Sequence, residues 1–239
     1  MSSPRGVDRV SVADWMQAND VIAFRVFSST DASDLPTGWK KPSKFYLDGV
    51  VFYDGRNVII FTDMVDVVLV KGKETKNHSM DDLQSWLDAS KGATFVGYGS
   101  RKFDSILLNS KYGIDADHID LAQIVQDASK KHYGDYGRRY DIHDLAGLNY
   151  AQQTAIPHLS YLLKPIARLA EWRRGSARNV LRTVAAEVEI IARLFCQVVI
   201  HEELKIQDER TERPVTIPVQ NARDVEVYTK PIVELQEEE

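Results

Sequence analysis

The sequence is short of cysteine: Cys196 is the only one among 239 residues. That excludes an internal disulfide framework and a zinc site built on thiolates. Long apolar runs are missing too. No stretch reaches the ~18 apolar residues that a membrane-spanning helix needs, so no membrane association is expected. Met1 to Asp8 are polar and lack the apolar segment of a secretory leader. A cytoplasmic protein is the expectation, with a nuclear one left open. No Gly-rich phosphate loop follows a strand, since Gly97-Tyr98-Gly99 is too short to count. His118, His132, His143, His158 and His201 lack metal-ligand spacing and read as scattered surface or loop residues. No Ser-His-Asp or Cys-His arrangement can be read.

What is present is the composition of an ordinary globular protein, 44% hydrophobic and 27% charged, long enough for one buried core. A net charge of −5 argues against a surface that is basic throughout. It leaves room for a local groove, because cations are segregated along the chain. Lys130, Lys131, Arg138 and Arg139 form one group; Arg168, Arg173, Arg174 and Arg178 form another. Glu237 to Glu239 make an acidic end.

Alternation and apolar content predict a strand over Val21 to Phe27, after a short helix over Val12 to Asn19 capped by Ser11. Ser28 to Lys44 reads as a loop. Phe45 to Tyr53 and Asn57 to Thr62 form a hairpin about Asp54-Gly55, and Val65 to Val70 an edge strand. Ser79 opens a helix to Ser90, with Asp82 as its capping-box partner and Gly92 beyond its end. Ala93 to Tyr98 is a strand leading into a helix that starts near Phe103 and closes at Gly113. Asp120 to Lys131 is helical, and Lys130 to Arg139 reads as an exposed loop. Shorter helices follow at Ile142 to Leu148 and Ser160 to Trp172. Ser176 then caps a long helix to His201, and Leu204 to Gln207 with Val215 to Val219 form a late hairpin. This order predicts an α/β architecture, a mixed sheet flanked by helices. It divides the chain into a domain over 1–202 and a C-terminal hairpin and charged tail over 203–239.

Three segments carry a resemblance. Val21-Ile22-Ala23-Phe24-Arg25-Val26-Phe27-Ser28 sits where a known family has apolar-Phe-Asp-x-Glu-Thr. Val96 to Asp104 is similar to Gly-Tyr-Asn-x-x-x-Phe-Asp. Trp172-x-x-Gly175, followed by Val180, Thr183, Glu187 and Val188, has the spacing of Trp-x-x-Gly then Val-x-x-Tyr-x-x-x-Asp-Val. Asp144-Leu145-Ala146 is similar to a short helix before it. Together they resemble the DEDD-type 3′–5′ exonucleases, of RNase H-like fold, and most closely their helicase-associated variants, over Val21 to about Val199.

The resemblance implies two divalent metals about 4 Å apart, held by carboxylates, that activate water and stabilise a leaving oxygen. Carried over position by position, the first Asp is Arg25 and the first Glu is Phe27. Asp104 survives. The last Asp is Glu187, and the Tyr four residues before it is Thr183. Arg stays protonated and has no acceptor, so Arg25 repels a metal where a ligand should stand. The expectation is a protein without the metal cofactor and without this hydrolysis. Strand alternation puts Val21, Ala23, Arg25 and Phe27 on one face. A helical wheel at ~100° per residue places Glu187 mid-stripe among Val180, Val184, Ile191, Leu194, Phe195 and Val198. An ion-pair cluster of Arg25 with Asp104 and Glu187 follows if the two faces meet; a one-residue slip would turn Arg25 outward.

Arg101 and Lys102, at the turn Gly99 to Lys102, offer cations and backbone N–H groups for a phosphate. Tyr133, Tyr136 and Tyr140 interleave with Lys130, Lys131, Arg138 and Arg139, a pattern that suits stacked bases or a protein partner equally. Arg173 and Arg174 extend that set. The functional expectation is an inactive exonuclease-like protein that binds single-stranded RNA or DNA. The alternatives are a protein-interaction or scaffolding module, whose tail adds a strand to a partner or dimer mate, and a nuclease using displaced carboxylates such as Asp48, Asp104 and Glu187.

Overall fold

A computed structural model describes residues 11–36, 40–70, 73–113, 117–134, 139–150, 165–208, 211–219 and 229–231. It begins as the sequence predicts. Helix α1 (Val12–Ala18) is capped by the Ser11 side chain, which accepts the Asp14 amide at 3.1 Å, and leads into β1 (Val21–Phe27). The hairpin of β2 (Gly49–Tyr53) and β3 (Val58–Phe61) closes around Asp54, whose carboxylate takes the amides of Arg56 and Asn57. Then come β4 (Val67–Val70), β5 (Lys73–Lys76), α2 (Leu83–Ala89), β6 (Thr94–Gly97) and α3 (Asp104–Tyr112). The second half holds β7 (Asp117–Asp120), α4 (Leu121–Tyr133), α5 (Ile142–Tyr150), α6 (Pro165–Arg173) and α7 (Ala177–His201). It ends with β8 (Glu203–Gln207), β9 (Pro214–Pro218) and β10 (Thr229–Pro231).

Six strands form one mixed sheet in the order β10-β7-β6-β1-β2-β3. Strand β1 pairs antiparallel with β2 and parallel with β6, β6 pairs parallel with β7, and β10 closes the far edge antiparallel to β7. The fold is α/β, with helices on both faces. Against one face lies α7, whose 25 residues bury Val180, Val184, Ile191 and Leu194 on Ala23, Phe27 and Val51. At ~1.5–3 kcal/mol per fully buried side chain, that contact is a major part of the stability. The other face carries Phe24, Phe52 and Phe95, covered by Leu83 and Leu87 of α2 and Leu107 and Leu108 of α3. Among the described residues no helix is long and apolar enough to cross a membrane.

Several elements differ from expectation. Strand β7 escapes sequence reading because Asp117-His118-Ile119-Asp120 is largely polar, although His118 and Ile119 are buried. Val67–Val70 pairs with β5 in a separate two-stranded sheet rather than lying on the main sheet's edge. The capping box at Ser79 does not form. Ser79 caps a 3-10 turn over Met80–Asp82, and the Asp63 carboxylate takes both its hydroxyl and the Met80 amide. At α7 the Ser176 side chain makes no capping bond. Lys130 to Tyr133 form the last turn of α4 rather than a loop, because the helix continues to Gly134 at φ 76°. The late hairpin packs its Leu204, Ile206, Ile217 and Val219 into the core on the α7 face. The final strand pairs with the chain's own β7.

Candidate functional site

Strand alternation turns Arg25 to the α7 face between Ala23 and Phe27, opposite Val51 of β2. Three other elements converge there. The chain leaving β6 brings Tyr98, α3 begins with Asp104, and α7 carries Glu187, which is 1% exposed. The guanidinium of Arg25 spans them all. Its Nη1 donates to the Tyr98 carbonyl and lies 3.3 Å from Asp104 Oδ2, while Nε lies 3.3 Å from Glu187 Oε2.

Two partners come from segments the sequence did not single out for this place. Arg168 on α6 donates from Nη1 to Glu187 Oε2 at 2.8 Å, and Arg168 is itself buried. His143 on α5 meets Glu187 Oε1 through Nε2 at 2.9 Å. An ionised carboxylate only accepts, so the proton of that bond sits on Nε2. The Asp141 carboxylate accepts the His143 amide at 2.8 Å and holds the start of α5. The only sequence signal for Arg168 was its place in a basic group, and His143 had none; both lie more than a helix away from Glu187 along the chain.

Electrostatics follow from this geometry. Burial opposes ionisation of Glu187, but Arg168, Arg25 and the His143 bond overcome it and hold the carboxyl down at about 2. Burial dominates at Asp104 and pushes its carboxyl up to about 6, with Arg25 opposing. Arg25 is held above its ordinary value: burial works against the charge, but Asp104 and Glu187 outweigh it. The two divalent metals implied by the resemblance do not fit this donor set. A guanidinium lies between the two carboxylates, and no three His, Cys, Asp or Glu side chains converge as donors among the described residues.

Above the cluster opens a cleft of about 580 Å³. Arg25, Asp104 and Arg168 are in its lining, with the aromatic residues Phe27, Phe45, Tyr98, Phe103 and Tyr140. Phe27 packs on Trp172 of α6 with ring centres 4.5 Å apart.

No family model matches this chain. The curated proteins likewise contain no match to it.

The remaining expected site residues divide clearly. Thr183, one turn before Glu187, is buried and donates to the Asn179 carbonyl at 3.1 Å. Asp48 accepts the Ser29 amide at 2.6 Å. The turn after β6 is no phosphate cradle: the Gly99 and Arg101 amides already donate to the Asp120 carboxylate, at 2.7 and 3.1 Å. That internal anion takes the place a phosphate would need. Tyr140 is not in an exposed loop but buried, accepting the Tyr98 hydroxyl at its carbonyl and directing its own hydroxyl to Gln207 O at 3.3 Å. Tyr133 is half-buried and donates to Asp208 Oδ2 at 2.9 Å.

Lys102, Lys130, Lys131 and Arg139 are exposed. Arg173 pairs with Asp31 and Arg174 with Glu171, each at 2.9 Å. Arg101, Lys102, Lys130, Lys131, Tyr133, Arg139, Arg173 and Arg174 are not in the lining of the cleft. Tyr136 and Arg138 lie outside the described residues, as does His158. His118 is no surface histidine. It is buried beside Ser100 Oγ at 2.7 Å, and burial lowers it to about 3, so it is neutral.

Proposed function

We propose that this chain is a catalytically inactive RNase H-like domain, similar to the DEDD-type exonucleases, that acts by binding single-stranded nucleic acid in the cleft. The observation that carries the reading is Arg25. It stands at the centre of the carboxylate pair and satisfies both Asp104 and Glu187 with positive charge fixed to the backbone. A permanent cation there removes the need for metal and the means of activating water. The strand order β3-β2-β1-β6-β7, with β2 antiparallel to its neighbours, supports an RNase H-like arrangement.

What supports binding is the lining aromatics and their exposed chain neighbours. The aromatic residues Phe45, Phe103 and Tyr140 are each preceded by an exposed cation, Lys44, Lys102 and Arg139. Ring faces beside cations are what sequence-tolerant single-strand binding uses. The test is a gel assay with labelled single-stranded RNA and DNA, with and without Mn²⁺, at two salt concentrations. Retarded, uncut strands that salt releases are expected. Metal-dependent shortening would overturn the inactive assignment. Absence of retardation would overturn nucleic-acid binding and move the weight to a protein partner.

A further inference from the structure

The charges inside the cleft are arranged against phosphate. Its two guanidiniums, Arg25 and Arg168, are already matched by Asp104 and Glu187 at 2.8 to 3.3 Å. The other charged residues in its lining, Asp31 and Asp141, are negative. A phosphate brought into the cleft would meet cations already paired, the Asp141 carboxylate, and Asp31, which Arg173 already neutralises. The walls favour something else. Phe27, Phe45, Tyr98 and Tyr140, all buried, and the half-buried Phe103 put aromatic side chains in its lining, and Ser28 and Thr30 bring hydroxyls. The exposed cations Lys44, Lys102 and Arg139 are outside the lining and each precedes a lining aromatic, Phe45, Phe103 and Tyr140, in the chain. A cleft of about 580 Å³ is within the usual range for small-ligand sites.

We infer that the cleft takes a nucleobase, inserted base-first, with the sugar–phosphate chain held outside on these exposed cations. This rests on the binding role proposed above and specifies which part of the ligand enters. It inverts the polarity of a metal-dependent nuclease, where the phosphodiester must reach the carboxylates. Stacking supplies the affinity and the exposed charges supply the salt dependence.

The test titrates the full chain with adenosine, uridine, their 5′-monophosphates, ribose 5-phosphate and inorganic phosphate. Calorimetry and tryptophan fluorescence are the readouts, Trp172 lying against the cleft-lining Phe27. Nucleosides are expected to bind, with the monophosphates within about fivefold of them, since only exposed charges are added. Ribose 5-phosphate and inorganic phosphate alone should not bind. Leu169→Trp, which fills the cleft from α6, should weaken nucleoside binding at least about tenfold. Lys102→Glu should spare the nucleoside and lower the salt slope for an oligonucleotide by about one. Phosphate binding without nucleoside binding would overturn the inference. So would oligonucleotide binding that adenosine does not compete and Leu169→Trp does not change, although nucleic-acid binding itself would then stand. Nucleoside binding without any oligonucleotide retardation would keep the base site and overturn the single-strand reading.

Discussion

At the scale of single residues, the centre of the molecule is a set of charges that stabilise one another and tolerate little subtraction. Arg25→Met leaves Asp104 buried without its guanidinium, while Glu187 keeps Arg168 and His143. A loss of about 3 kcal/mol in denaturant unfolding is expected, and Arg25→Met with Asp104→Asn should recover part of it. The two carboxylates give opposite pH dependences. Asp104, raised to about 6 by burial, holds its proton more tightly folded than unfolded. Its contribution is full below its ordinary value and is lost as pH rises through about 6. Glu187, held down at about 2, contributes above its ordinary value and loses that contribution as pH falls towards 2. Unfolding free energies measured from pH 3 to 7 should therefore flatten on the rising-pH side in Asp104→Asn. Glu187→Gln should flatten the acid side, at a cost of about 3–5 kcal/mol near neutrality because the buried Arg168 and the half-buried Arg25 both lose a partner.

At the scale of elements, the turn from β6 into α3 sets where Asp104 stands. A Cβ on Gly97 would lie 2.2 Å from Ser100 Oγ and 2.4 Å from its Cβ, and Ser100 is fixed by His118 and Ser105. Gly97→Ala should cost about 2–3 kcal/mol through this overlap. Gly97→Ala with Ser100→Gly should cost less than the sum of the two single changes, which a thermodynamic cycle would measure. Gly99, at φ 65°, and Asp120 complete the turn by bonding it from β7. This explains why a segment readable as an anion site is closed: its donors face inward, to a carboxylate on the neighbouring strand β7, 21 residues along the chain from Gly99. Local pattern reported the turn, and only β7's position reported what fills it.

At the scale of the whole molecule, the sheet is shared by both apolar clusters, so neither can come apart alone. Trp15 packs on Phe195 on the α7 face, and Trp86 packs on Phe52 on the other. Unfolding followed by tryptophan fluorescence and by far-ultraviolet circular dichroism should give coincident transitions, as expected when the two faces unfold together. Two midpoints would show that α7 and its contacts separate first.

The periodicities carried by the sequence determined much of this architecture. The seven residues of β1, the hairpin at Asp54, the apolar stripe of α7 and the faces of Arg25 and Glu187 were all legible. Each depends on neighbours a few positions apart, where the backbone repeat alone decides which side chains share a face. The tertiary structure decided the rest. It brought Arg168 and His143 to Glu187, buried Tyr140 and His118, gave the amides of the β6 turn to Asp120, and paired the last strand with β7. Those contacts join residues with no common period, and a buried charge or an unfilled backbone amide takes whichever partner the packing brings within reach.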